Sequence, residues 1–154
     1  MNGPRSLANH SRYLATLQME AWQRALSDDN RPGWIVDAAF APAVRWHLRQ
    51  AYGWLLLAAA RVAQAPPQPP HSVSELPGLA PGIAMSAELV RCEDLETDGW
   101  LSDMLAPLPT ASPPPRQSNL LATTRSTPDL DQYRLWAEAL DKLLESIDLT
   151  LDES

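Results

Sequence analysis

Cysteine occurs once in these 154 residues, at Cys92. A single thiol excludes an intramolecular disulfide and any zinc centre built on several cysteines. Phenylalanine also occurs once, and β-branched residues are scarce outside short stretches, which argues against a sheet protein. The six glycines are scattered, so no Gly-rich phosphate loop exists. No G-x-S-x-G or comparable setting for a nucleophile is present. The most apolar stretch, Ala51–Ala60, has half of the roughly 20 residues needed to cross a bilayer. The opening MNGPRSLANHSRYL lacks the apolar core of a secretory signal, so the cytoplasm is the expected location.

What is present is leucine, alanine and six tryptophans, with an ordinary hydrophobic fraction of 45%. One domain is expected at this length. Eleven of the fifteen prolines fall in two segments, Pro66–Pro81 and Pro107–Pro115. They punctuate the chain and leave the helical patterns between them intact. Charge is uneven. Residues 1–64 hold seven arginines against four acids, and residues 129–154 hold eight acids against Arg134 and Lys142. An overall charge of −7 makes nucleic acid an improbable partner on bulk electrostatics. The N-terminal arginines are read as complements of the acidic C-terminal helix.

The centre of the pattern is Val44–Val62, VRWHLRQAYGWLLLAAARV. Val44, Leu48, Ala51, Leu55 and Val62 share one helical face, and Ala51–Ala60 is uncharged all round. A helix apolar on every side is covered on several sides. The spacing predicts a helix from Pro42, at its first turn, to about Gln64, with a kinked continuous helix from Trp34 as the alternative. Gly53 inside it marks close approach of another backbone. A first helix is predicted over Ser6–Asp28, with Leu14, Leu17, Ala21 and Ala25 as its apolar stripe. It pairs with the central helix as an antiparallel hairpin through Asp29–Gly33.

Pro66–Gly82 is expected to run extended over the surface, anchored by Val73, Leu76 and Leu79. Ser86 opens a shorter helix to Glu93 or Glu96. Thr97 or Asp98 caps a further piece over Gly99–Leu105, which Pro107 ends. Residues 107–118 form a second Pro-rich connection, and Asn119–Thr124 is a candidate extended segment. Thr127-Pro128-Asp129 reads as cap, first-turn proline and first-turn acid. The last helix carries Tyr133, Trp136, Leu140, Leu143, Leu144, Ile147 and Leu151 inward, with residues 149–154 as a frayed acidic tail. The predicted fold class is therefore all-α: three long helices, a short broken one and two Pro-rich connections.

The arrangement resembles a family of uncharacterised small helical proteins, a domain of unknown function from pseudomonads and related gammaproteobacteria. The residues that carry the resemblance are Tyr13-Leu14-Ala15 with Leu17 and Glu20-Ala21-Trp22, His47-Leu48 with Ala51-Tyr52-Gly53, Trp100-Leu101, Asn119-Leu120-Leu121-Ala122 and Leu135-Trp136-Ala137-Glu138-Ala139-Leu140. It implies a bacterial, cytoplasmic helical protein. It implies no activity, cofactor or catalytic residue.

Candidate chemistry is sparse. Arg5 and His10 have the R-x4-H spacing that resembles the catalytic signature of the helical HEPN ribonucleases, but sit at a terminus prone to fraying. His47, between Arg45 and Arg49, has the chemistry of a general base or ligand. Its plainer reading is an imidazole hydrogen-bonded across the bundle, with Glu20 as the partner. No acid or second histidine stands at metal spacing, so neither a metal nor a cofactor is expected. Cys92 lies beside Glu93 and Asp94, which should raise a thiol pKa. The tryptophans are read as core, with Trp46 and Trp54 off the central stripe and marking either a second covering helix or an exposed partner surface. Pro66–Pro70 offers P-x-x-P registers that suit aromatic grooves, against the plainer reading of a stiff linker. The expectation is a non-enzymatic helical protein acting through protein contacts, with a protein partner or self-association. The alternative is a HEPN-like RNA-cleaving or small-ligand-binding bundle using Arg5/His10 or Glu20/His47.

Overall fold

A computed structural model describes residues 3–77, 85–108 and 128–153, apart from the side chains of Leu151 and Glu153. The fold is all-α, and no strand occurs among the described residues. In chain order the helices are α1 (Pro4–Leu26), α2 (Gly33–Ala59), α3 (Ala87–Asp98), α4 (Trp100–Leu105) and α5 (Leu130–Glu153). A 3-10 turn, Val73–Glu75, lies between α2 and α3.

The central helix is where the apolar run placed it. All nine residues from Ala51 to Ala59 are buried. Its two ends differ from expectation. It begins at Gly33, so Pro42 sits inside a continuous helix, as in the alternative reading. An internal proline costs about 3 kcal/mol, and tertiary contacts offset that cost. The Trp22 indole N–H donates to Asp37 Oδ1 at 2.9 Å, and Trp22 stacks on Phe40. Both contacts tie the first turns of α2 to α1. At the other end the helix stops at Ala59, before Gln64 and before any proline. Arg61 turns left-handed, with φ 59°. Its N–H reaches the Ala58 carbonyl, and the Val62 N–H reaches the Leu57 carbonyl at 3.0 Å. That is a Schellman ending with arginine where glycine is usual.

α1 buries a different face from the predicted stripe. Pro4, Ala8, Ser11, Ala15, Met19 and Trp22 are buried, whereas Leu17 is exposed and Leu14 only partly covered. The face is turned by about 100°, one residue's rotation. Small residues on it let α1 lie close along α2, and Trp22 fills the wider base of the hairpin. The larger leucines lost to this fit.

α5 runs antiparallel to α1 with the predicted stripe inward: Tyr133, Trp136, Leu140, Leu143, Leu144 and Ile147 are buried, and Leu130 joins them. The Leu151 side chain lies outside the described set. Asp129 caps this helix, Oδ1 accepting from the Gln132 N–H at 2.9 Å, so Pro128 precedes the cap. Thr127, predicted as the cap, lies outside the described residues. The helix continues through Glu153, into the segment predicted to fray. Charge locks the seam: Arg5 pairs with Asp148 at 2.9 Å, Arg12 pairs with Asp141, and Arg134 donates to Gln23 Oε1. The N-terminal arginines do complement the acidic last helix.

Ser86 caps α3 through the Leu89 N–H. Gly99, rather than Thr97 or Asp98, is the boundary residue of α4. The Pro-rich connection after α2 is seated on the bundle. Pro69 and Pro70 are buried, with Val73 and Leu76 as the expected anchors. A Cβ added at Gly53 would overlap the Pro70 carbonyl oxygen and come within 2.6 Å of Pro69 Cβ. Glycine is required here because another backbone lies against the helix, as predicted. Leu79, residues 110–117 and Asn119–Thr124 lie outside the described residues.

Candidate functional site

The R-x4-H pair is divided by the geometry of α1. Five residues along a helix set side chains about 140° apart. Arg5 lies on the flank that meets α5 and is engaged with Asp148. His10 is exposed on the other flank, beside His47. Glu20 is exposed and makes no hydrogen bond or ion pair among the described residues, so the expected Glu20–His47 pair is not formed. His47 is partly buried, and its imidazole pKa is pushed down from 6.5, first by burial and then by the nearby charge of His10. The fold thus brings together His10 and His47 but not Arg5 or Glu20. No group of three or more His, Cys, Asp or Glu able to hold a metal occurs among the described residues.

A second polar cluster joins α2, α3 and the strap that the Pro-rich connection forms over Gly53. The Tyr52 hydroxyl donates to Glu96 Oε1 at 2.6 Å, and the same oxygen accepts the Val73 N–H at 3.0 Å. Cys92 is fully buried beside Tyr52. Burial above all, with the charge of Glu96 and Glu88, pushes its thiol up to about 12. Burial likewise raises the Tyr52 phenol. Both groups stay protonated at neutral pH, which suits a clasp and disfavours a nucleophile. Raising of the thiol was expected from acids, though the effective ones are these two rather than Glu93 and Asp94.

The third cluster is built on arginine. Arg45 is 5% exposed. Its Nη1 donates to the Tyr133 hydroxyl at 3.4 Å and its Nη2 to the Asp103 carbonyl at 3.3 Å. The carbonyl belongs to the last turn of α4, where free carbonyls carry partial negative charge. The Nε atoms of Arg45 and of Arg49, one turn on, are buried with no hydrogen-bond partner. Tyr133 sits in an aromatic cluster, 5.7 Å from Trp22 and 5.1 Å from Trp136 between ring centroids. Burial raises its phenol pKa, opposed by Arg45. Sequence reading saw Arg45 and Arg49 only as neighbours of His47. The available signal was spacing: Arg45, Arg49 and Tyr52 lie on one helical face, and His47 on another.

Three tryptophans, Trp22, Trp54 and Trp136, are core residues, while Trp34 and Trp46 are 42% and 58% exposed. Trp46 ends a stripe at 4-3-4 spacing, Ile35, Ala39, Pro42 and Trp46, every member of which is exposed. The P-x-x-P registers are not free for an aromatic groove, because Pro69 and Pro70 are buried. No described helix is long and apolar enough to cross a membrane.

Comparison with protein-family models, with curated proteins and with solved structures found no match.

Proposed function

We propose that the protein works without a chemical step of its own, as a cytoplasmic helical module that binds a protein partner, a second copy being the simplest. The observation that carries this reading is the exposed apolar stripe Ile35, Ala39, Pro42 and Trp46 on a helix whose C-terminal half is enclosed. An exposed apolar stripe at helical spacing with a tryptophan at its end is the material of helix-to-groove and helix-to-helix docking. The rival RNA-cleaving reading needs Arg5 and His10 on one cleft, and they face different flanks of α1. Membership of the small helical family belongs to the same proposal and adds no activity.

The test is light scattering and affinity capture with the wild type and an Ile35→Arg/Trp46→Arg double variant. The expected result is self-association, or a captured partner, that the double variant loses. A strict monomer whose captured proteins are the same for both chains overturns the proposal.

A further inference from the structure

Among the described residues, Arg45 has no carboxylate partner, although Arg5, Arg12, Arg31 and Arg134, all more exposed, each have one. The segments outside the described set cannot supply it. Residues 78–84 and 109–127 contain neither Asp nor Glu. The one acidic side chain outside that set, Glu153, lies twenty residues along α5 from Tyr133, about 30 Å away at 1.5 Å per residue. A buried cation without counter-charge is among the costliest arrangements a fold can hold. The Asp103 carbonyl and the Tyr133 oxygen are dipoles and offset part of that cost. Three donors remain unspent: Nε of Arg45, Nε of Arg49, and the Tyr133 hydroxyl proton, which has no acceptor among the described residues.

We infer that Arg45, Arg49 and Tyr133 form a binding site for an oxyanion, a phosphate or a carboxylate group. Guanidinium forks and a phenol are donors only towards such a ligand, and two adjacent arginines match its charge and its spread of acceptor oxygens. A neutral ligand would satisfy the donors but leave the charge. A cation is excluded by the same donors. Arg49 is partly exposed, which opens the site to solvent at the α2 surface. Arg49 borders the apolar stripe, three residues on from Trp46, but the anion site does not depend on what covers that stripe.

The test uses the full chain with two probes, sodium phosphate and sodium acetate, each against sodium chloride at matched ionic strength. Thermal midpoint and tryptophan emission are read together, since Trp22 and Trp136 pack on Tyr133. At ten times its dissociation constant a bound anion should raise the midpoint by about 3–6 °C. Phosphate acting alone identifies a phosphate site, and acetate acting alone a carboxylate site. Arg45→Met should abolish the rise. If that variant does not fold, Arg49→Gln and Tyr133→Phe decide, each expected to weaken binding about tenfold. The inference is overturned if neither anion exceeds chloride in the wild type, if Arg45→Met responds equally, or if both milder variants bind unchanged.

Discussion

The outward face of α2 is treated in two ways along one helix. Towards its C-terminal end the face is closed: Gly53 is pressed by Pro69 and Pro70, and the strap is pinned where Glu96 holds both Tyr52 and the Val73 N–H. Towards its N-terminal end the same face is open, with Ile35, Ala39, Pro42 and Trp46 all exposed. Both halves are apolar. What differs is what the chain places on them. The closed half shows how this protein covers a helix when it must, with proline, whose rigidity lowers the entropy lost on seating it. The open half has no such cover among the described residues.

The comparison is broken most strongly at Gly53. Gly53→Ala should gain about 1 kcal/mol from helix propensity, yet the added methyl meets the Pro70 carbonyl and Pro69. A net loss of about 2–3 kcal/mol in urea unfolding is expected from such overpacking. A stabilised variant would mean that the strap is not seated there. Glu96→Ala comes next. It leaves the Tyr52 hydroxyl and the Val73 N–H without their acceptor, for about 2 kcal/mol. Hydrogen exchange should quicken at Val73 and not at α5; uniform quickening would show that Glu96 supports more than the strap. On the open half, Trp46→Arg and Ile35→Arg should each leave the stability of the monomer, measured at a concentration too low for self-association, within about 0.5 kcal/mol. A larger loss would show that this half is covered after all.

The smallest effect concerns His47, on a different face of the same helix. Its pKa is lowered in the folded protein, by burial and by His10. The unfolded chain therefore takes up the proton first, near 6.5. Stability is full above that pH and falls as pH drops through it, levelling once the folded imidazole protonates too. His47→Gln should flatten that part of the pH–stability curve. An unchanged slope would place the acid sensitivity elsewhere.

Much of this fold was legible because it rests on long, one-sided patterns. The α5 stripe from Tyr133 to Ile147 is spaced so regularly that no other face competes, and the Ala51–Ala59 run admits only burial. Gly53 was legible as a close approach because an interior glycine weakens a helix. α1 misled because most of its buried face is alanine, serine and proline, with Met19 and Trp22 only towards its C-terminal end. Hydrophobicity ranks Leu14 and Leu17 above them, while close packing prefers the small residues. The left-handed Arg61 carries no turn signal of its own, and Pro42 reads as a start because the contacts that hold the chain helical before it, those of Trp22 among them, come from another helix. The candidate sites were less legible still. R-x4-H was read as a spacing and Glu20/His47 as a contact between neighbouring helices; helical rotation divides the first pair, and Glu20 faces solvent away from His47. The isolation of Arg45 depends on where the acids of α2, α4 and α5 point, none of them pairing with its guanidinium, which no local pattern records.

The seam between α1 and α5 bears on the order of folding. α1 and α2 are consecutive, joined by a short turn, and meet through local contacts that form early. Arg5 and Asp148, by contrast, are separated by almost the whole described chain. Their pairing must wait for a long loop to close. Charges attract over about 10 Å at 0.1 M salt, so the arginine flank draws the acidic helix in before any side chain touches. Added salt should therefore slow refolding more than it speeds unfolding, with the hairpin waiting and α5 arriving last.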